Sequence, residues 1–170
     1  MQNHFELFHL PQCFAIDLSV LDSAYHEVQS QVHPDKFVNA SDAEKRVAMQ
    51  WATRANEAYL TLKKPLQRAR YLCELNGADL QIESNTSMPR EFLMQQMEWR
   101  EMLDDAKTAL DVDALEKLEQ ELLASRRNSI GQIGLLLDAG VFAEAALEVR
   151  KLMFLEKFRD ELSDLIHTIA

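Results

Sequence analysis

The sequence predicts an all-α protein, and three observations carry that expectation. Glycine and proline are scarce, at four each in 170 residues. Strand-like alternation is nearly absent, and apolar residues recur instead at helical spacing. Residues that start and stop helices bracket those runs. The expected layout is an N-terminal helical domain over residues 1-77, a connection over 78-86, and an antiparallel three-helix bundle over 87-170.

Asn3 to Leu10 reads as a short apolar turn or helix closed by Pro11. Asp17 can cap the next helix, with Ile16 packing on Leu21 as a hydrophobic staple. Its apolar stripe is Leu18, Leu21, Tyr25, Val28 and Val32. Proline disfavours the helical region for the residue before it, so His33 ends this helix. Pro34 has a fixed φ and no amide donor, and Asp35 can accept amide hydrogen bonds from two residues on. The product is a short, stiff loop presenting an imidazole, a carboxylate and the ammonium of Lys36. Ser41-Asp42-Ala43-Glu44 is a capping box. The helix it starts carries Val47, Ala48, Trp51, Ala55, Ala58, Tyr59 and Leu62 on one side. Tyr25, Trp51 and Tyr59 are assigned to the first core, with Asn56 as a satisfied structural polar group. Pro65 opens a further helix with Leu66, Ala69, Leu72 and Leu75 inward, ended by Gly77.

Residues 78-87 are polar and lack helical periodicity. Ser87-Met88-Pro89 then starts a helix running to about Leu110, with Phe92, Trp99, Leu103, Ala106 and Leu110 on one face. Leu93, Met94 and Met97 point elsewhere, among Glu98, Glu101, Asp104 and Asp105. Apolar groups rimmed by charge, away from the core, suggest a binding patch, and methionines suit one because they repack around a partner; a thick apolar face that touches a third helix is the other reading. Asp111 caps a third long pattern through Leu115, Leu118, Leu122, Ile130, Ile133 and Leu137, which stops at Asp138-Ala139-Gly140. The last helix starts near Val141 and follows Val149, Leu152, Leu155, Leu162, Ile166 and Ile169. Phe154 lies off that stripe.

A net charge of −10, from 28 acids and 18 bases, argues against nucleic acid as a partner. The apolar runs are too short for a bilayer, and neither a secretory signal nor an organellar targeting pattern is read at the start. Cys13 and Cys73 are too few and too far apart for a zinc site or a disulfide framework. His33 and Asp35 form a possible metal or acid–base pair, and a small metal-dependent hydrolase is the reading that would use them. No second His or Cys lies at ligand spacing, and no nucleophile or phosphate-cradling glycine loop accompanies the pair. A plain helix–helix turn is the other reading of the tripeptide alone.

Read in order, Phe5-Glu6-Leu7-Phe8, His33-Pro34-Asp35, Asn56-Glu57-Ala58-Tyr59-Leu60-Thr61-Leu62 and Pro65-Leu66-Gln67-Arg68-Ala69-Arg70-Tyr71 make the first 77 residues resemble a J-domain. In the second half, Phe92-Leu93-Met94-x-Gln96, Arg100-Glu101 and Arg150-Lys151-Leu152-Met153-Phe154-Leu155 resemble the HscB-type co-chaperones of iron–sulfur cluster assembly. That resemblance implies a protein that is not an enzyme and has no metal or cofactor of its own. It implies stimulation of ATP hydrolysis by an HscA-type chaperone of the DnaK class, and delivery of the scaffold IscU to it. On this sequence the stimulating loop is His33, Pro34, Asp35 and Lys36, and the scaffold-binding positions are Leu93, Met94, Met97, Glu98, Glu101, Asp105 and Phe154. A general J-protein for unfolded clients is the alternative. A monomer in a bacterial cytoplasm, without membrane or nucleic-acid partners, is expected. Two departures stand out. Leu18 to Val32 contain no lysine or arginine, so chaperone docking is expected at Lys45, Arg46 and Arg54 besides Lys36. The N-terminal cysteine tetrad that mitochondrial members can add is missing from this sequence.

Overall fold

The computed structural model describes residues 2-80 and 88-170. Most of the expected connection, and the Ser87 start signal, lie outside the described residues. Among the described residues there is no strand, and the chain divides into two compact units, Met1–Leu75 and Asn76–Ala170. No described helix is long and apolar enough to cross a membrane.

The first unit is built by local capping and closed by antiparallel packing. Helix α1 (His4–Leu7) is capped by Asn3, whose side chain accepts from the Glu6 amide. Asp17 caps α2 (Leu18–Val32) by accepting from the Ser19 amide at 2.9 Å and its hydroxyl at 2.6 Å. The Ser19 hydroxyl bond holds the Asp17 carboxyl below its usual range. Helix α2 ends at His33, which is extended, and a single 3-10 turn (Pro34–Phe37) follows. Ser41 then caps α3 (Asp42–Lys63), accepting from the Glu44 amide at 3.2 Å. Pro65 begins α4 (Pro65–Leu75), and Gly77 takes a left-handed φ of 72° just beyond it.

Tyr59 donates to Asp22 at 2.7 Å, while Asn56, one turn earlier on α3, accepts from Tyr25, one turn later on α2. That crossed pattern makes the two helices antiparallel. The Tyr25 and Tyr59 rings stack at 4.1 Å across the seam, half-buried. Phe5, Leu21, Ala55 and Leu62 are fully enclosed, as is Cys73, whose thiol burial pushes up to about 11.

Several inward assignments fail here. Leu18, Val47 and Trp51 are exposed, as is Leu75 at the end of α4. A unit of this size has too little chain to cover every side of a 22-residue helix. Trp51 instead lies beneath the Arg54 guanidinium, 5.1 Å from the ring centroid. Conversely, Arg68 is buried. Its guanidinium covers the Phe14 ring at 4.8 Å and donates to the carbonyls of Phe14 (2.6 Å) and Leu62 (2.7 Å). It thereby satisfies an otherwise orphaned carbonyl in the last turn of α3.

The second unit is an antiparallel bundle of α5 (Arg90–Ala109), α6 (Val112–Asp138) and α7 (Phe142–Ile169). Trp99, Leu103 and Ala106 of α5 pack with Leu115, Leu118 and Leu122 of α6 and with Leu155, Phe158 and Leu162 of α7. The Trp99 indole N–H donates to Glu121 at 3.2 Å. Phe158, absent from the expected stripe, is almost fully buried. Asp111 caps α6 through the Ala114 amide, and the α6–α7 turn uses Gly140 at φ 74°. Leu110 is not a core residue: it closes α5 at a left-handed φ of 54° and lies in solvent.

Replacing Arg68 by Met should lower the stability of the first unit by about 2–4 kcal/mol, because two buried carbonyls lose their charged donor. Denaturant unfolding followed by Trp51 emission checks this, and unfolding of the second unit should not shift.

Candidate functional site

Two surfaces emerge, one on each unit. In the first, Pro34 forces His33 extended, and Asp35 follows at the start of the 3-10 turn. The turn is held the other way round from the expectation: the His33 Nδ1 accepts from the Asp35 amide at 3.2 Å. The Lys36 amide donates to the His33 carbonyl at 3.0 Å. With Nδ1 engaged as an acceptor, the neutral ring carries its proton on Nε2. The Asp35 carboxylate lies 3.6 Å from Nδ1, and both side chains are exposed. Among the described residues no three His, Cys, Asp or Glu side chains come together as a metal set.

Pro34 lines an apolar cleft of about 520 Å³ with Val32, Phe37, Val38, Lys45, Ala48, Met49 and Ala52. Of the basic residues expected to dock a chaperone, Lys45 borders this cleft and Arg46 is exposed. Arg54 is tied into its own unit through Trp51 and the Gln2 carbonyl at 3.2 Å.

On the second unit the decisive feature is how α5 divides its circumference. At about 100° per residue, Leu93, Met94, Met97, Glu98, Glu101 and Asp105 fall within an arc of about 140°, opposite the buried stripe. Leu93, Met94 and Met97 are 43%, 59% and 72% exposed, against 4% for Trp99. Met97, Glu101 and Asp105 also line a groove of about 610 Å³ with Gln96, Arg100, Asp104 and Phe154 of α7. Leu93, Met94 and Glu98 continue the same face beyond the groove.

Phe154 joins groove to core. It meets Phe92 edge-on and Phe158 at a tilt, each at 5.6 Å, and is itself half-buried. Arg100 lies over the Phe158 ring at 4.8 Å and pairs with Glu161 at 2.7 Å. Sequence reasoning gave Arg100 no place in the groove. The available signal was its position three residues after Met97, on the adjoining strip of the same helix. The groove offers an apolar floor, acceptor-rich walls and one paired guanidinium.

Comparison with known proteins gives the geometry a lineage. The chain is 57% identical over 160 residues to the co-chaperone protein HscB homolog of Burkholderia vietnamiensis, covering 94% of this chain and 91% of that one. It belongs to the HscB co-chaperone family. The homologous protein of Burkholderia multivorans is 56% identical over the same span. The family model described as HSCB C-terminal oligomerisation domain matches residues 88–163. Among solved structures, chaperone HscB from Vibrio cholerae superposes with a TM-score of 0.87 at 36% identity, over 99% of this chain and 100% of that one. Human co-chaperone protein HscB does so with a TM-score of 0.90 at 27% identity, over 96% and 81% respectively. The HscB architecture of an N-terminal J-domain and a C-terminal helical bundle is thus the fold of this chain.

Because the exposed arc of α5 takes no part in the HscB bundle core, Leu93→Ala with Met97→Ala should leave the melting temperature nearly unchanged. Trp99→Ala or Leu103→Ala should destabilise the bundle by about 2–5 kcal/mol. Thermal melts of the purified variants separate the two classes.

Proposed function

We propose that this HscB-family chain is a cytoplasmic adaptor of iron–sulfur cluster assembly. Its His33-Pro34-Asp35-Lys36 loop stimulates the ATPase of an HscA-type, DnaK-class chaperone. The α5 face and Phe154 hold an IscU-type scaffold and deliver it. The observation that carries this reading is the division of α5, whose buried face builds the bundle while Leu93, Met94 and Met97 stay in solvent among carboxylates. Exposed apolar groups of this kind offset the loss of partner freedom only when covered, and a few such anchors dominate binding.

On the J-domain side, a rigid loop presenting an oriented imidazole and carboxylate suits contact with another protein better than catalysis. Lys45 and Arg46 supply outward charge beside it and can steer an acidic partner surface. The chain acts by binding at both ends, and the two contacts are separable by mutation.

Steady-state ATP hydrolysis by the purified chaperone, with native scaffold present, tests the first contact. His33→Gln should abolish stimulation while leaving scaffold binding intact. Calorimetric titration of the scaffold tests the second: Leu93→Ala with Met97→Ala should weaken binding by about 2–4 kcal/mol. Equal binding of a denatured client and the native scaffold would point to a general J-protein instead.

A further inference from the structure

We propose that Met94 and Met97 form an oxidation-sensitive modification site, at which peroxide converts thioether to sulfoxide and switches the α5 face off. The inference rests on the reading that this face binds the scaffold. Met94 and Met97 are the exposed methionines of the described bundle, whereas Met88, Met102 and Met153 are half-buried. Met97 also lines the groove, against Phe154.

In the reaction a sulfur lone pair attacks one oxygen of hydrogen peroxide, the O–O bond breaks and an S–O bond forms. The second oxygen takes a proton and leaves as water, so sulfur is oxidised by two electrons and the peroxide reduced. A flexible apolar side chain thereby becomes a polar one carrying a strong hydrogen-bond acceptor.

The surroundings hold more acceptors than donors for that oxygen once a partner covers it. Glu101, Asp104 and Asp105 in the groove are themselves acceptors when ionised, and Arg100 already gives one N–H to Glu161. Only the Gln96 amide offers a neutral side-chain donor there. On the helix, Met94 has Arg90 one turn before it and Glu98 one turn on, with Glu101 beyond. A sulfoxide at either position gives up hydration on binding and removes an apolar anchor, and it does so on a face richer in acceptors than donors.

The chain's thiols do not compete for this role. Cys73 is enclosed in the first unit and kept protonated by burial, and Cys13 lies half-buried in the same unit.

The test treats the full chain with hydrogen peroxide until mass spectrometry finds one added oxygen on each of Met94 and Met97. The product is then titrated with an untreated, purified IscU-type scaffold. Affinity should fall about ten- to a hundredfold and return after treatment with methionine sulfoxide reductases. The Met94→Leu, Met97→Leu chain, compared with its own untreated form, should keep its affinity after peroxide, since leucine has a similar volume and no sulfur to oxidise. Unchanged affinity with both sulfoxides in place overturns the proposal, as does equal loss by the double-leucine chain. A melting temperature that falls on oxidation places the effect in the core and also overturns it. If untreated Leu93→Ala, Phe154→Ala binds as the parent does, the proposal falls together with the reading beneath it. If that variant is weakened and peroxide does nothing, the proposal alone falls.

Discussion

The seating of Trp99 between α6 and α7 sets the roll of α5 about its own axis. Its ring packs near Phe158 at 6.5 Å and its indole N–H is fixed on Glu121. Leu103 and Ala106 follow it into the same cluster. Once those three face inward, helical geometry leaves Leu93, Met94 and Met97 no route to the core. Packing therefore determines the exposed face indirectly, by using up the opposite side of the helix. Phe154 and Phe158, neighbours on α7, link the groove floor to that packing.

The first unit solves a different problem, that of holding an exposed tripeptide in one shape. It does so with backbone chemistry: an extended residue enforced by proline, a ring nitrogen taking the Asp35 amide, and a 3-10 turn behind it. The helices that frame the turn are locked by polar contacts across their seam, Tyr59 to Asp22 and Tyr25 to Asn56. Arg68 closes the far end by binding carbonyls from two separate segments. None of these contacts touches the loop, yet together they fix the helices between which it is strung.

What the sequence made legible was mostly local. Asp17, Ser41 and Asp111 cap the helices they precede because their acceptors reach amides only two or three residues on. The extended His33 and the glycine turn at Gly140 follow from single-residue backbone preferences. Face arithmetic separated Leu93, Met94 and Met97 from Trp99 and Leu103 because one helix period suffices for it. It failed at Leu18, Val47, Trp51 and Leu110, where periodicity says which side a residue is on but not whether another element covers that side. Arg68 was illegible for the converse reason: a guanidinium reads as surface unless the carbonyls awaiting it are known. Spacing along α5 puts Arg100 beside Met97, but its partners on α7, Phe158 and Glu161, are not legible from that spacing.

The contrast between the two tryptophans has a practical consequence for watching this molecule. Each unit carries one, Trp51 in the first, open to solvent beneath a guanidinium, and Trp99 in the second, enclosed among hydrocarbon. An indole in water emits at longer wavelength than one in an apolar cage, so the intrinsic fluorescence of the native chain is a sum of two spectrally displaced emitters. The red component reports on the J-domain and the blue component on the bundle. The two halves can thus be followed separately in one unlabelled sample, as though each had been given its own dye.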